Sequence, residues 1–544
     1  MGMNPCVVHV LLAVLLQVSE GCGVWAGALQ SHSVEFRVVQ CASQPFSLKK
    51  KAGDALVFST EAQSDFQSIK VDGLDPDTEY EYQVAGIRGR FKTFPAPGQK
   101  SGFRFMFGSC SATGSRSKIF SLISKFRPGF FLHLGDLHYA DISENNVGLF
   151  DKEYERIFEN EVISSAFRST ALAYVWDDHD FGPNNADKNS GTKEAASLSY
   201  RKNFPHYPLA AYNASFENPT SPSSFLPIYQ AFSVGSMIRF IMMDLRSEAD
   251  NLDGPLMSME QRNWICKELK NNHLNHEIVV LVSPIAWIGA AETAPESDGW
   301  PSDPLTRSFI SNCISESNIK NVVMIEGDSH SAAADDGSNS DYRNTTAISG
   351  AGFPIFRASP LDKFGSSKGG PYSQGCKGYR FWPNSHIGLV DVSFPSGGKV
   401  CIAFKALNSD QDVVVSFDSC SPFVKVGSAG AATCSLPALP SSAIALITFT
   451  LLTGILCVTV LPCVVFRKTL SRVRKAVFIF CVLLLMLLLA LLGYFRVTTL
   501  PVVLVTSLCI FSVLLVMLPL AVYAWTRLSV HARAQKHSEV VELR

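Results

Sequence analysis

The sequence predicts an α/β sandwich that follows a small β-sandwich and precedes three transmembrane helices. Three observations lead to this prediction. Between residues 101 and 420, buried strand patterns alternate with helical patterns, which is typical of α/β domains. Residues 33 to 97 instead contain short alternating segments separated by turn residues, as in β-sandwiches. Beyond residue 443, three apolar spans are each long enough to cross a bilayer.

Composition and charge exclude some classes of function. The chain has 544 residues, more than one typical domain, and unusually apolar ends raise its hydrophobic content to 47%. Its formal net charge is −1, and it has no basic stripe with interleaved aromatic residues, which argues against nucleic-acid binding. The sequence does not indicate an oligomeric state.

Residues 1 to 27 are predicted to be a signal peptide. An apolar run from Val7 to Val18 is followed by small residues, although the usual basic start is missing; a retained signal anchor is the alternative. Either segment predicts that the following domain is exported. Asn213 and Asn344 are then candidate glycosylation acceptors. An exported domain can form disulfides, but the sequence does not show which cysteines pair. Cys110 is expected to stay free.

The small β-sandwich is predicted over residues 33 to 97. The stretch from Val71 to Val84 resembles the tyrosine-corner approach to a late strand in fibronectin-like domains. Nothing in this region suggests chemistry, so we expect a scaffold packed against the next domain, with an independent adhesion module as the alternative. Residues 95 to 98, Pro-Ala-Pro-Gly, are the predicted linker.

Four apolar runs of the α/β domain, residues 101 to 420, end in side chains that can bind metal ions. Because ligands of α/β sheets bind at the carboxyl ends of the strands, we expect these side chains to lie together. Asp, Tyr, Cys and His form the donor set of a dinuclear metal centre. The residues are Cys110 after 103–107, Asp136 and Tyr139 after 130–134, Asp177, Asp178 and His179 after 171–176, and Asp328 and His330 after 322–326.

Aromatic residues elsewhere in this domain have two predicted uses. In loops at 283–287 and 298–301, Trp287 and Trp300 either form the mouth of a substrate site or pack beneath a long loop. Another set recurs at helical spacing and predicts one helix with a buried apolar stripe. Its members are Phe150, Tyr154, Ile157, Phe158 and Val162.

The strand-end motifs resemble those of the alkaline phosphatase D (PhoD-like) family of metallophosphoesterases, over roughly residues 33 to 420. The resemblance implies a metallophosphoesterase-type α/β sandwich. The sequence departs from the family's pattern at Asp180, where the family ordinarily has Glu. The stretch 135–141 is also similar to a metal motif of purple acid phosphatases. The motifs are Gly108-Ser109-Cys110, Gly135-Asp136 with Tyr139, Trp176-Asp177-Asp178-His179 and Gly327-Asp328-Ser329-His330.

Two metal ions are predicted at these motifs. Phenolate and thiolate ligands stabilise trivalent iron, whereas a site made of carboxylates favours a hard cation such as calcium. The resemblance implies the same pair, Fe³⁺ and Ca²⁺, with Zn²⁺ less expected. We assign Cys110, Asp136, Tyr139 and His330 to one ion, and Asp136, Asp178 and Asp328 to the other, so that Asp136 bridges them.

Arg246, His179 and Asp177 are the candidate catalytic residues. Arg246 ends another strand and could hold the phosphate through its planar guanidinium, the alternative being a surface salt bridge to Asp244. His179 would stabilise the phosphate or protonate the leaving alkoxide. Asp177 and Asp180 would orient His179 or the metal ligands.

The C-terminal part is predicted to anchor the protein. A spacer rich in Pro, Ala and Ser, residues 421 to 442, leads to apolar spans at 443–466, 476–495 and 500–525. Loops rich in Lys and Arg usually face the cytosol, so the basic loop at 467–475 is predicted to be cytosolic. With three crossings, the tail, residues 526 to 544, is then cytosolic as well. The predicted localisation is therefore a multi-pass protein of the lipid bilayer, with its catalytic domain extracellular or lumenal.

The predicted function is hydrolysis of phosphate monoesters or diesters, as in an alkaline phosphatase or phosphodiesterase. A hydroxide activated by the two metal ions would attack phosphorus in line. The alternative is a catalytically inactive ectodomain that acts as a receptor or adhesion protein.

Overall fold

The computed structural model describes residues 22–211, 225–250, 254–289, 299–345, 349–366, 368–377, 383–396 and 398–425. Its strands are β1 Gly23–Gly27, β2 Ser33–Val39, β3 Pro45–Lys50, β4 Ala55–Glu61, β5 Phe66–Asp72, β6 Glu79–Val84, β7 Ile87–Lys92, β8 Phe103–Gly108, β9 Phe130–His133, β10 Ala171–Tyr174, β11 Gln230–Val234, β12 Ile238–Met242, β13 Ile278–Ser283, β14 Val322–Glu326, β15 Ala332–Asp336, β16 Pro354–Ala358, β17 Lys363–Phe364, β18 Gln374–Lys377, β19 Pro383–Asn384, β20 His386–Ser393, β21 Cys401–Asn408 and β22 Val413–Cys420. Its helices are α1 Ser121–Phe126, α2 Val147–Glu159, α3 Glu161–Arg168, α4 Asp178–Phe181, α5 Lys193–Asn203, α6 Met259–Asn272 and α7 Pro304–Glu316, with 3₁₀ turns at Lys118–Phe120 and Trp300–Ser302.

Two large sheets carry the α/β domain. One has nine strands in the order β22-β21-β20-β8-β9-β10-β1-β2-β5, and the other has seven in the order β11-β12-β13-β14-β16-β15-β18. Strands β8, β9 and β10 run parallel in the first sheet, as do β12, β13, β14 and β16 in the second. This mixed α/β fold with several sheets agrees with the predicted α/β class.

The two sheets pack face to face through aromatic and branched aliphatic side chains. Phe105 of β8 meets Phe240 of β12 edge-on, with ring centroids 5.2 Å apart, and Phe356 of β16 stacks on Phe404 of β21 at 4.9 Å. Alternate residues of a strand point to opposite faces of its sheet. In β13, accordingly, Val280 belongs to the core between the sheets and Leu281 to a second core on the other face.

Helices cover the outer faces. Ile265 and Leu269 of α6 and Ile310 of α7 fill the second core against the seven-stranded sheet. The single helix predicted from the aromatic spacing is divided into α2 and α3. Asn160 lies between them in an extended conformation, and its side chain accepts hydrogen bonds from the amides of Val162 and Ile163, which starts a new helix.

The N-terminal strands belong to the same structure as the α/β domain. The predicted sandwich at 33–97 has two packed layers, and Phe36 of β2 meets Phe46 of β3 with ring centroids 4.9 Å apart. One layer is the four-stranded sheet β4-β3-β6-β7, but β2 and β5 of the other layer extend the nine-stranded sheet. The amide of Asp75 donates to the hydroxyl of Tyr80 at 2.8 Å, as in a tyrosine corner.

The predicted end of the signal peptide at residue 27 is too late. Gly23–Gly27 is the buried strand β1, which pairs with β2 and β10, and Cys22 forms a disulfide with Cys41. A cleaved segment could not supply these contacts. Residues 1 to 21 lie outside the described residues.

Disulfides within the described ranges join Cys22 to Cys41, Cys266 to Cys313 and Cys401 to Cys420. Cys110 remains a free, buried thiol, as predicted. Bonds of this kind persist in oxidising compartments. The candidate glycosylation site Asn344 is exposed, whereas Asn213 lies outside the described ranges.

The predicted membrane localisation needs correction. Among the helices in the described part of the chain, none has the length and hydropathy that crossing a bilayer requires. This finding overturns the multi-pass localisation with a cytosolic C-terminus, and it gives no support to the bilayer as a partner. The predicted spans at 443–466, 476–495 and 500–525, the tail from 526 and the spacer from 426 lie outside the described residues.

The disulfide Cys266–Cys313 should stabilise the fold more than Cys401–Cys420, because it closes 47 residues of chain rather than 19. Loop entropy alone predicts that replacing both cysteines by serine lowers the free energy of unfolding by about 4 kcal/mol for the first pair and about 3 kcal/mol for the second. Urea unfolding followed by tryptophan fluorescence measures both. A larger loss for the Cys401–Cys420 pair would contradict the entropic account.

Candidate metal centre

The strand ends that the sequence singled out meet at one edge of the two sheets. The loops after β8, β9 and β10 come from the nine-stranded sheet, and the loop after β14 comes from the seven-stranded sheet. Backbone hydrogen bonds join them: the amide of Cys110 donates to the carbonyl of Gly135 at 3.0 Å, and that of Ser111 to Asp136 at 2.8 Å. A Cβ on Gly135 would come within 2.4 Å of the Cβ of Asp177, so only glycine allows this approach.

Two groups of side chains in this region have the arrangement of a metal site. The first consists of Cys110, Asp136 and His330, and the second of Asp136, Asp178 and His179. In each group, one donor atom per residue lies within 4.8 Å of the others. Asp136 belongs to both groups, which is the position of a carboxylate that bridges two ions.

Tyr139 completes the first group. Its hydroxyl donates to Oδ2 of Asp136 at 2.7 Å and lies 3.1 Å from Nε2 of His330. The four residues predicted for the iron ion are therefore neighbours around one point, although Cys110 and His330 are 220 residues apart in the chain.

Backbone strain is concentrated in the same residues. The φ angles of Cys110, Asp136, Asp328 and His330 are +62°, +55°, +55° and +42°. Residues other than glycine seldom adopt this left-handed conformation, and where they do, the cost is usually offset by a functional requirement. All four of these residues are predicted metal ligands.

The electrostatics of the cluster fit bound cations. Burial, together with the charges of Asp178 and Asp180, raises the pKa of Asp136 well above its ordinary value. Burial and the charges of Asp136 and Asp328 likewise raise the pKa of the Cys110 thiol. Buried acids that oppose one another's ionisation become stable as anions when cations lie between them. Thiolate, phenolate, imidazole and carboxylate groups are all common metal ligands in proteins.

Asp180 fastens two of the loops to each other. Its Oδ1 accepts hydrogen bonds from the amides of Leu137 at 2.7 Å and His138 at 3.3 Å, and its Oδ2 from the amide of Asp177 at 3.1 Å. Burial raises the pKa of Asp180 to about 6, against the effect of these donors. Asp180 therefore reaches the backbone on both sides of the cluster.

Arg246 has a different position from the one predicted. It is fully buried, its Nε donates to Oδ1 of Asp177, and one terminal nitrogen lies 3.5 Å from Asp178. This placement does not support direct contact with a phosphate, because the guanidinium faces the two carboxylates inside the protein. It also excludes the surface salt bridge, since Asp244 is buried and accepts a hydrogen bond from Nε1 of Trp176 at 2.9 Å.

The second group differs in one residue from the predicted ligand set. His179 lies in it, whereas Asp328 meets Nζ of Lys368 at 3.4 Å. Nδ1 of His179 is 2.5 Å from Oδ1 of Asp141. This contact leaves Nε2 as the nitrogen that can act on a ligand or a substrate.

The sequence did not identify Asp141, Lys363 and Lys368 as site residues. Asp141 lies two residues after Tyr139 in the stretch 135–141, so its position in this motif could have identified it as a candidate. The two lysines lie in a segment rich in Gly and Ser that has no metal-binding pattern. Nζ of Lys363 is 3.5 Å from the centroid of the Tyr139 ring.

Trp287 and Trp300 pack inside the protein, which settles the alternative left open by the sequence. Both side chains are buried, with ring centroids 4.6 Å apart. Nε1 of Trp287 donates to the carbonyl of Ser340 and Nε1 of Trp300 to Oγ of Ser283, each at 3.0 Å. The substrate-mouth interpretation of these residues is therefore wrong.

Comparisons with known proteins identify the family of this chain. A model of the PhoD-like phosphatase family matches residues 105–377. Alkaline phosphatase D of Bacillus subtilis (strain 168) is 25% identical over 337 residues, which cover 52% of this chain. The match spans 56% of the length of that curated relative.

Solved structures provide the second comparison. A structure of PhoD superposes with a TM-score of 0.55 and 18% identity, over 75% of this chain and 93% of the PhoD chain. A purple acid phosphatase from yellow lupin (Lupinus luteus) seeds gives a TM-score of 0.48 and 14% identity, over 77% of each chain. The family model spans half of the 544 residues and contains all four strand-end motifs, so the chain belongs to the PhoD-like phosphatase family.

Proposed function

We propose that this protein is a metal-dependent phosphoester hydrolase of the alkaline phosphatase or phosphodiesterase type. The observation that carries the proposal is the shared position of Asp136 in two adjoining groups of metal-binding side chains. Membership of the PhoD-like phosphatase family supports phosphoesters as the substrate class.

The residues divide between two ions according to their donor atoms. Cys110, Tyr139 and His330 offer sulfur, phenol and imidazole donors, which suit Fe³⁺, with Asp136 as the fourth ligand. Asp136 and Asp178 of the second group offer carboxylate oxygens, which suit Ca²⁺ better than Zn²⁺, and Asp328 is the further carboxylate proposed for this ion. When bound, such a pair of ions would neutralise the charge of the phosphate and lower the pKa of a bound water.

Among the described residues, His179 is placed to move a proton. Its donor nitrogen lies within 4.8 Å of carboxylate oxygens of Asp136 and Asp178, beside the second group. Asp141 fixes the orientation of the ring and balances its charge when both nitrogens carry protons. Nε2 would then deliver a proton to the alkoxide that leaves phosphorus. Asp177 would act through Arg246 and the backbone of the same loop rather than on the substrate.

The alternative of an inactive receptor or adhesion ectodomain has less support. An inactive relative would be expected to have lost ligands or the strained backbone that aims them, and both are present. Asp180, which the sequence analysis identified as a departure from the family's pattern, makes three hydrogen bonds to the loops of the site. It therefore supports the site rather than disabling it.

Replacing Asp136 should abolish activity because both ligand groups lose their shared member. For Asp136→Ala, we expect hydrolysis of 4-nitrophenyl phosphate and bis(4-nitrophenyl) phosphate to fall by at least about 10³-fold, since the metals provide the main charge stabilisation. Asp151→Asn, which alters a buried carboxylate bonded to Lys202 and Ser199, serves as the control. Chelation should also abolish activity, and calcium added to the iron-loaded protein should restore it. Retained hydrolysis in Asp136→Ala, or restoration by zinc alone, would contradict the assignment.

The iron assignment predicts a visible absorption band from charge transfer between a phenolate or thiolate and Fe³⁺. Tyr139→Phe and Cys110→Ser should each shift or remove the band. Tyr154→Phe removes another buried phenol, whose neighbour is Tyr174, and should leave the band unchanged. If both site variants keep the parent spectrum with full iron content, the assigned residues do not hold iron.

Arg246 should contribute to folding rather than to substrate binding. Arg246→Met removes the partner of the buried Asp177, and loss of one member of a buried ion pair destabilises by about 3–5 kcal/mol. Arg239→Met, which breaks the partly exposed pair with Glu268, should cost less, about 1 kcal/mol. Urea unfolding measures both. A variant with normal stability and a raised KM for phosphoesters would instead identify Arg246 as a phosphate ligand.

A further inference from the structure

In the described part of the chain, two cationic side chains besides the buried Arg246 lie close to the predicted ligands. Nζ of Lys363 lies over the Tyr139 ring, 3.5 Å from its centroid, and Nζ of Lys368 lies 3.4 Å from Oδ1 of Asp328. Both side chains are partly exposed, unlike Arg246. They therefore place positive charge at both predicted ion sites, where an incoming anion can reach it.

The backbone of Lys363 is fixed to the loop that carries Cys110. The amide of Asp362 donates to the carbonyl of Cys110, and the amide of Ala112 donates to the carbonyl of Asp362, both at 3.2 Å. Lys363 follows directly in β17, which pairs with β19. The backbone next to Lys363 is therefore attached to the loop that carries the predicted thiol ligand.

The backbone of Lys368 is held by a buried ion pair. Its carbonyl accepts a hydrogen bond from Arg357 at 3.1 Å, and Arg357 pairs with Glu326 at 2.6 Å at the end of β14. The amide of Lys368 donates to Oγ of Ser366 at 3.3 Å, and the amide of Ser366 donates to the carbonyl of His330 at 3.2 Å. This network leads from the strand that delivers Asp328 and His330 back to the lysine beside them.

We propose that Lys363 and Lys368 bind the terminal oxygens of the substrate phosphoryl group and make the enzyme prefer phosphate monoesters to diesters. This inference rests on the proposed hydrolase function. A monoester is largely dianionic at alkaline pH and a diester monoanionic, so each ammonium attracts the monoester about twice as strongly. The sequence analysis predicted that Arg246 holds the phosphate. In this proposal, the two partly exposed lysines hold it instead.

The test uses the full-length, metal-loaded protein and the variants Lys363→Gln, Lys368→Gln and the corresponding arginines. We expect kcat/KM for 4-nitrophenyl phosphate to fall by about 10- to 100-fold in each glutamine variant, the effect of losing a charged hydrogen bond. The value for bis(4-nitrophenyl) phosphate should fall by less than about 3-fold, and arginine should restore part of the monoester preference because it keeps the charge. Lys405→Gln, at an exposed position of β21, is the control.

Two further measurements separate this proposal from a purely structural role. Metal content by mass spectrometry should stay unchanged in the glutamine variants, and the Kd for inorganic phosphate by calorimetry should rise by a factor similar to the loss in kcat/KM. Equal losses for both esters, no loss for either, or loss of metal together with activity would overturn the proposal.

Failure of the hydrolase function itself would be recognised differently. If the metal-loaded parent protein hydrolyses neither ester, the proposed function fails, while the calorimetric measurement still decides the role of the lysines. An unchanged Kd for phosphate in both glutamine variants would then overturn the lysine assignment on its own, and a raised Kd would support it.

Discussion

The burial of several acidic groups at one edge of two facing sheets is the constraint on which the rest of the site depends. Asp136, Asp178 and Cys110 lie within a few ångströms of other acids, and burial opposes the ionisation of Asp136 and Cys110. Such a cluster requires positive charge. Arg246 supplies positive charge from inside the protein, and the partly exposed Lys363 and Lys368 supply more. Bound metal ions would balance the remaining negative charge.

The scaffold makes this concentration of charge possible through backbone geometry. Parallel strands from both sheets end at the same edge, and left-handed residues turn the ligands inward immediately after those ends. Asp180 and Gly135 then hold two loops at contact distance. Each device is local, but the result depends on two sheets that pack through a large aromatic core. A shift between the sheets would separate His330 from Tyr139 and divide the first group of ligands.

The parts of the site that could be predicted from the sequence are those with a local signature. Cys110, Asp136 and His330 each follow an apolar run that predicts a strand, so the sequence placed them at strand ends. Arg246 also ends a strand, yet its real partner, Asp177, is 69 residues away, and no local pattern shows that the guanidinium points inward. Lys363 and Lys368 were missed because hydrogen bonds to other loops, rather than a motif, bring them to the site. The fold shows the same limit: the α/β class followed from periodicity, but the pairing of Gly27 with Leu172 could not.

The shared sheet has a consequence for how this protein could have been assembled or could be divided. Because β1 lies against β10 and is followed by β2 and β5, the N-terminal layer closes the side of the sheet nearest to the loop of Asp177 and Asp178. A polypeptide beginning at residue 101 would expose β10 as a free edge, which invites aggregation. The N-terminal segment is thus no detachable module that recombination could exchange.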